Sequence, residues 1–174
     1  MNIKNIWTIG HSTRPAEAFL SLLRANEIEV LVDVRSLPGS RKYPHFNKET
    51  LSVFLEHNGI RYIHLPGLGG RRKKTPDSKN LAWRNLSFRN YADYMETDAF
   101  QESVSELMEL AVQDRTCMMC SEAVWWRCHR SMIADYLKAK GWKVWHILSL
   151  NNVSEHPYTG AAKIKNGQLS YEQD

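Results

Sequence analysis

The sequence predicts a three-layer α/β domain with a mainly parallel sheet of about five strands flanked by helices. Short β-branched runs alternate along the chain with helical patterns, which is the arrangement of βαβ units. The run EVLVDVR contains the apolar stretch VLV and a further Val34, a near-continuous apolar pattern that is typical of a parallel strand buried on both faces. We therefore expect one α/β domain over residues 1–174, a length that is sufficient for a sizeable core.

The first half of this domain is predicted to contain three strands and two helices. The first strand, NIWTIG, ends at Gly10, and the next helix has Pro15 in its first turn and Ser12 or Thr13 as its cap. EVLVDVR is the second strand. A helix over about residues 48–57 then leads to a third strand, RYIHL.

The second half begins with a basic excursion loop at residues 66–87, which has no clear periodicity. A connection of roughly twenty residues is too long to be idle in a compact domain, so it is predicted to be functional or mobile. Helical patterns resume at FRNYADYM and DAFQESVSELMELAVQ, followed by a fourth strand (TCMMCSE), a helix (HRSMIADYLKAKG) and a fifth strand (KVWHIL). The tail, residues 149–174, has no strong pattern and is predicted to be irregular.

The charge distribution indicates a basic surface. The net charge is +4, yet residues 35–74 contain nine Lys or Arg against two Glu. Such a surface suits an anionic ligand or a nucleic acid. The chain has no apolar run long enough for a membrane helix, and its start lacks the layout of a signal peptide, so a cytoplasmic location without a membrane partner is expected. Three clustered cysteines argue against a disulfide framework.

Polar side chains follow four of the predicted strands. In parallel α/β sheets the carboxyl ends of the strands meet at one edge, where ligands bind. Residues two apart on a strand project to the same side. The residues at this edge are His11 and Ser12, then Asp33 and Arg35, then His64, and finally Cys120 and Glu122. Their convergence predicts a functional site there rather than ordinary turns.

The stretch CSEAVWWRCHR, from Cys120 to Arg130, allows three interpretations. The first is a metal site, because cysteine and histidine at short spacings bind zinc. Cys117 and Cys120 stand an odd number of residues apart on a strand, so they should face opposite ways, and Cys117 is predicted to be a core residue. Cys120, Cys128 and His129 are then left as an open site.

The second interpretation is a nucleophile loop. LVDVR resembles a strand of the rhodanese-like sulfurtransferases, and Cys120 at a strand end resembles their nucleophile. Glu122, however, would lie inside the anion-binding loop and repel its ligand, and two tryptophans stand where a tight loop prefers small residues. We therefore disfavour this interpretation.

The third interpretation is an anion site where the helix begins, near Cys128 and His129. Free N–H groups and the positive end of the helix dipole would face the anion there. Arg127 and Arg130 flank this helix start, and Arg35 would approach from the neighbouring strand. Glu122 could act as a general base, or it could pair with Arg130 or Arg35 in a buried structural network.

The motif set as a whole resembles a family of bacterial and archaeal proteins, the domain of unknown function 488. The matching stretches are TIGHS, LVDVRSLPGSRK, YIHLPGLGG, FRNYADYM, CSEAVWWRCHR and EHPYTGAAKI, in this order along nearly the whole chain. The resemblance implies a single cytoplasmic α/β domain but no substrate. It singles out His11, Ser12, Asp33, Arg35, Pro38, His64, Cys120, Glu122, Cys128, His129 and Arg130.

Taken together, the residues predict an enzyme, a hydrolase or transferase, that acts on a phosphate-bearing or nucleotide-like anion at the carboxyl edge of the sheet. The predicted catalytic residues are Glu122, His11, His129, Cys120 and Cys128, and the predicted substrate-binding residues are Ser12, Asp33, Arg35, His64, Arg127 and Arg130. No cofactor and no metal are predicted in this interpretation. The alternatives are a nucleic-acid binding module that uses the basic region 35–74, and a metal-binding protein with a Cys/His site.

Overall fold

The central sheet of the computed structural model, which describes residues 3–174, has six strands. They are β1 (Asn5–Gly10), β2 (Val30–Asp33), β3 (Arg61–His64), β4 (Thr116–Cys120), β5 (Lys143–Ser149) and β6 (Asn152–Glu155), arranged in the order β3-β2-β4-β1-β5-β6. The first five strands are parallel, and β6 pairs with β5 in the antiparallel direction. The predicted α/β class with a mainly parallel sheet is confirmed.

Helices cover both faces of this sheet. They are α1 (Ala16–Ala25), α2 (Lys48–His57), α3 (Leu86–Tyr94), α4 (Asp98–Gln113) and α5 (Arg130–Ala139). Apolar residues of α1 and α2 form one core with β1 and β2, and residues of α3, α4 and α5 form a second core on the opposite face. The predicted cap of α1 is wrong: the helix begins after Pro15, without a side-chain cap from Ser12 or Thr13.

Alternation along β4 separates the cysteines of that strand. Cys117 and Met119 belong to the core beneath α1 and α2, whereas Met118 and Cys120 belong to the core beneath α3, α4 and α5. Successive strand residues point to opposite faces, so the odd spacing forces this separation. Cys117 is fully buried and lies in the core, as predicted.

The chain connections diverge where β2 and β4 lie side by side. After β2 the chain runs through α2 to β3 at one edge of the sheet, and after β4 it runs through α5 to β5 on the other side. Two connections that leave neighbouring strands in opposite directions open a crevice at their carboxyl ends. This topology positions the loops that follow Asp33 and Cys120 around a shared space.

The C-terminal segment differs from its prediction. Residues 149–174 were expected to be irregular, but they contain β6 and a hairpin of β7 (Lys163–Lys165) and β8 (Gln168–Ser170). Buried polar contacts to helix α5 anchor this segment, since His156 Nε2 and the Tyr171 hydroxyl both bond the Asp135 carboxylate, at 2.8 and 2.7 Å. Polar anchors of this kind leave no hydrophobic periodicity in the sequence, so the strands of this segment were not predicted.

The excursion at 66–87 is held to the body of the protein by specific contacts. It begins with a short 3-10 helix, Pro66–Leu68. The Arg72 guanidinium then folds back onto the Pro66 and Gly69 carbonyls, at 2.9 and 3.0 Å, and stacks on the ring of Tyr94. Ser78 and Asn80 donate hydrogen bonds to Asp93 of α3.

Candidate functional site

A cavity of about 810 Å³ lies at the carboxyl ends of β1, β2 and β4. Most of the predicted site residues line it: His11, Ser12, Arg35, Cys120, Glu122, Arg127, Cys128 and His129. Tyr43, Gly70 and Arg71 complete its walls from the loop after β2 and from the excursion. Its volume falls within the range of about 300–1,000 Å³ that is usual for small-molecule sites.

The loops after β1 and β4 are in direct backbone contact. His11 and Ser12 donate backbone N–H bonds to the carbonyls of Cys120 and Ser121, both at 2.9 Å. A Cβ atom at Gly10 would fall on the Glu122 carbonyl oxygen, so only glycine fits there. Ser12 also has a left-handed backbone with φ of 51°, a conformation that non-glycine residues adopt mainly where surrounding contacts enforce it.

Asp33 and Arg35 form a mostly buried ion pair below the cavity. The Arg35 guanidinium donates two hydrogen bonds to the Asp33 carboxylate, at 2.9 and 2.8 Å, and a third to the Phe46 carbonyl at 2.7 Å. The Tyr62 hydroxyl donates to the same carboxylate. Burial, followed by the charge of Asp33, raises the pKa of Tyr62 well above its usual value, which keeps the hydroxyl protonated as a donor.

His11 lies between this pair and the cavity. Its ring stacks on Phe46, its Nδ1–H donates to the Ser12 carbonyl at 2.9 Å, and its Nε2 accepts from Arg35 Nη1 at 3.2 Å. Because a carbonyl only accepts, this arrangement defines the neutral tautomer. Burial, aided by the Arg35 charge, lowers the pKa of His11 to about 4. At neutral pH His11 is therefore uncharged, and its Nε2 orients Arg35 by accepting a hydrogen bond from it.

Three predicted substrate-binding residues do not line the cavity. Asp33 is fully buried, and its oxygens already accept from Arg35 and Tyr62. His64 bonds the backbone carbonyl of Arg35 through Nε2, at 2.7 Å. Arg130 is 1% exposed and lies beneath the loop that follows β4. In the structure these residues support the walls of the cavity from behind.

Cys120 and Cys128 meet at the cavity wall. Their Sγ atoms are 2.8 Å apart, and both thiols are almost completely buried. Burial raises the pKa of Cys120 well above its usual value. Burial also acts to raise the pKa of Cys128, but the hydrogen bond with Cys120, the Arg130 charge and the Arg130 backbone N–H outweigh it, so this pKa lies below the ordinary value. Cys128 is the more acidic thiol.

Arg130 is a buried cation without a carboxylate partner among residues 3–174. Its Nη2 donates to the backbone carbonyl of Glu122 at 3.0 Å, and its buried Nε has no hydrogen-bond partner in the described part of the chain. A buried charge is costly unless an opposite charge lies near it. A thiolate at Cys128 would supply that charge, which agrees with the lowered pKa of this thiol.

His129 is oriented towards the same thiol. Its Nε2–H donates to the Val34 carbonyl at 3.0 Å, so the lone pair of Nδ1 faces Cys128 Sγ, 3.5 Å away. Burial lowers the pKa of His129, and the imidazole is therefore neutral at pH 7. A thiol, a base in reach of it and a carbonyl that fixes the base are the three parts of an activated nucleophile.

Three N–H groups at the start of α5 form hydrogen bonds within the protein. Cys128 N donates to the Trp125 carbonyl at 3.3 Å, Arg130 N to Cys128 Sγ at 3.4 Å, and Ser131 N to the Cys128 carbonyl at 3.0 Å. These three N–H groups are therefore engaged within the protein, and the anion site expected at this helix start stays a prediction. The start of the helix instead directs an N–H group at the Cys128 sulfur, a position that stabilises a thiolate.

Glu122 is an exposed carboxylate on the cavity wall. The predicted ion pairs with Arg35 or Arg130 do not form, because Arg35 bonds Asp33 and Arg130 bonds the backbone of Glu122. Within residues 3–174 its carboxylate forms no ion pair. The charge is therefore available to a ligand or a water molecule in the cavity.

Comparison with known proteins identifies the family of the chain. The family described as domain of unknown function DUF488 matches residues 15–137, a span that includes β2, β4 and the cysteine pair. The chain belongs to the DUF488 family. No curated protein and no solved structure matches it. In the described part of this DUF488 protein, no helix is long and apolar enough to cross a membrane.

The alternative of a Cys/His metal site has no geometric support. Among residues 3–174 of the DUF488 protein, no three His, Cys, Asp or Glu side chains converge as ligands of one ion. The Nε2 atom of His129 is bonded to a carbonyl, and Cys120 and Cys128 are in contact with each other.

Some of the residues expected to form a nucleic-acid surface are engaged in contacts within the protein. Arg72 is bonded to two backbone carbonyls, and the half-buried Trp83, which this alternative would use to stack on a base, packs edge-on against Phe88 and Tyr171. Of the basic run at 71–74, only Arg71, Lys73 and Lys74 have exposed side chains. Arg71 of this run lines the cavity of the DUF488 domain together with Gly70. The nucleic-acid alternative stays a prediction.

The sequence reasoning missed two features of the DUF488 site. Arg71 lines the cavity because Gly70 lies against His129, where a Cβ at Gly70 would come within 2.7 Å of Nδ1. The adjacent glycines Gly69 and Gly70 were the sequence feature that could have indicated this close approach. A fully buried chain of hydrogen bonds also joins Thr8, His146, His156 and Asp135, at 2.6, 2.8 and 2.8 Å. Trp125 stacks on His146 with a centroid distance of 4.6 Å. This contact holds the tryptophan loop, the segment with Trp125 and Trp126 between β4 and α5.

Proposed function

We propose that this protein is a cysteine-dependent enzyme that acts on a phosphate-bearing or nucleotide-like anion in the cavity at the carboxyl edge of the sheet. One observation carries the proposal: Cys128 lines the cavity, receives a hydrogen bond from the Arg130 backbone N–H, and is buried near the Arg130 guanidinium, which has no carboxylate partner among residues 3–174. Each of these contacts favours the thiolate over the thiol. A stabilised thiolate at a cavity wall is the starting point of covalent catalysis.

The charge around the cavity favours an anionic substrate. Arg71 and Arg127 have exposed side chains that line the cavity, and in the described residues neither forms an ion pair. Guanidinium groups match phosphate and carboxylate oxygens in geometry as well as in charge. Glu122 is the one acid among the lining residues, and we assign it to proton transfer rather than to binding.

The reaction follows from these positions. The Cys128 proton moves to Nδ1 of His129, and the Cys128 thiolate then forms a bond to the electrophilic atom of the substrate. The bond from that atom to its leaving group breaks, and the leaving group takes the proton from His129. Glu122 removes a proton from a water molecule or a second acceptor, which attacks the same atom and releases Cys128 as the thiolate.

The test is a panel of phosphate esters and nucleoside mono-, di- and triphosphates, incubated with the wild-type protein and with Cys128→Ser. We expect the wild type to turn over at least one of these compounds, and the variant to lose this activity. Cys117→Ser is the matched control, because Cys117 lies on the opposite face of the sheet and should not affect turnover. Equal turnover by wild type and Cys128→Ser, or none across the panel together with no thermal shift, would contradict the proposal.

A further inference from the structure

Cys120 has no direct role in the mechanism above, yet its thiol lies against the nucleophile. Cys120 ends β4, and Cys128 lies eight residues later, after the tryptophan loop and before α5. Both side chains belong to the same core, and both line the cavity. A small molecule that enters the cavity can therefore reach the pair, whereas Cys117 lies in the opposite core.

We propose that Cys120 and Cys128 are an oxidisable dithiol: a peroxide oxidises Cys128, and Cys120 then closes a disulfide with it. The Sγ atoms are 2.8 Å apart, so roughly 0.8 Å of movement brings them to bonding distance. The two thiols already share a hydrogen bond, so the Cys120 sulfur lies where a resolving thiol must be.

The two steps balance in atoms and electrons. The Cys128 thiolate attacks one oxygen of hydrogen peroxide, the O–O bond breaks, and Cys128 sulfenic acid and hydroxide form. The Cys120 sulfur then attacks the sulfenic sulfur, the S–O bond breaks, and water leaves with the Cys120 proton. The peroxide is reduced by two electrons, and the two thiols become one disulfide.

The surroundings of the pair assign the two roles. Arg130 N–H and the Arg130 guanidinium stabilise negative charge on Cys128, so Cys128 is the thiol that attacks the peroxide. Cys120 is 2% exposed and keeps its proton, so it reacts only once its neighbour has become electrophilic. A disulfide would remove the thiolate and switch off turnover, and only this consequence rests on the proposed function.

The experiment needs no substrate. The reduced full-length protein is treated with hydrogen peroxide, its free thiols are counted, and tryptic peptides are analysed by mass spectrometry. We expect the wild type to lose two of its three thiols and to recover them with a reductant. Trypsin cuts after Arg115, Arg127 and Arg130, so the bridge appears as peptide 116–127 joined to peptide 128–130.

Three variants separate the roles. Cys117→Ser should form the same bridge, which then has Cys120 as its only partner in peptide 116–127. Cys120→Ser should accumulate the sulfenic acid at Cys128, detected as a dimedone adduct, and Cys128→Ser should keep its thiols reduced. The inference is overturned if the wild type retains three thiols, if its disulfides join separate molecules, or if Cys120 is oxidised as fast in Cys128→Ser as in the wild type. Mapping of the wild-type peptides decides the question even where a variant does not fold.

Discussion

The Arg130 guanidinium donates to the backbone carbonyl of Glu122, at 3.0 Å, and not to its carboxylate. Among residues 3–174 Arg130 therefore has no carboxylate partner, a thiolate at Cys128 would supply the compensating charge, and the Glu122 carboxylate forms no ion pair at the cavity wall. We therefore expect the acidity of the Cys128 thiol to depend on Arg130, and the Glu122 carboxylate to be available for proton transfer.

The first prediction concerns the thiol. Arg130→Met removes the buried charge, so the pKa of Cys128 should rise from its lowered position towards that of a buried thiol. The measurement is the rate of iodoacetamide labelling of Cys128 as a function of pH, followed on the tryptic peptide that begins at Cys128. This peptide ends at residue 130 in the wild type and in Arg130→Lys, and at Lys138 in Arg130→Met. Arg130→Lys keeps the charge and should shift the profile less, and an unchanged profile in both variants would show that Arg130 does not stabilise the thiolate.

The second prediction concerns the free carboxylate. Glu122→Gln should leave the fold and substrate binding intact and reduce turnover by roughly 10²–10⁴-fold, the usual contribution of a general acid or base. The readout is kcat and KM for the compound found in the substrate panel. Glu106→Gln, an exposed acid on α4, is the control. A change in KM alone would assign Glu122 to binding instead of proton transfer.

The third prediction is a loss of stability in mild acid. Burial lowers the pKa of His146 from 6.5 to about 2, so the unfolded chain takes up a proton below pH 6.5 that the folded protein binds only near pH 2. The free energy of unfolding should therefore fall as the pH falls from 6.5, by about 2 kcal/mol at pH 5 from this residue. His11, whose pKa is about 4, adds to the decline between pH 6.5 and 4.

Urea unfolding at pH 7 and pH 5 measures this decline. His146→Gln should remove the part that belongs to His146, whereas His57→Gln, at an exposed position, should not change it. If His146→Gln and wild type lose equal stability between the two pH values, the buried hydrogen-bond chain is not the source of the acid sensitivity.

The fourth prediction tests the contact between the loops after β1 and β4. Gly10→Ala places a methyl group on the Glu122 carbonyl oxygen, and overpacking of this kind costs about 1–3 kcal/mol of unfolding free energy. Gly160→Ala has open space around the new methyl group and should be nearly neutral. Denaturant midpoints of the two variants supply the comparison, and equal midpoints would mean that the loops separate without cost.

The amino-acid sequence determined the layers and the edge of the sheet at which the polar residues gather. Buried runs such as VLV in β2 indicate parallel strands, because consecutive apolar residues suit a strand that is covered on both faces. Strand parity likewise separates Cys117 from Cys120, since side chains alternate with a period of two. The family could also be recognised from the sequence, because its motifs are contiguous stretches.

The tertiary structure alone decided which polar groups contact each other. Asp33 pairs with Arg35, Arg130 reaches the carbonyl of Glu122, and Cys120 contacts Cys128, each through loops whose directions depend on long-range packing. Asp135 similarly anchors His156 and Tyr171 across the fold, which gives the C-terminal strands their place without a hydrophobic period. Hydrogen-bond partners are set by distances of a few tenths of an ångström, and residue spacing along the chain does not encode them.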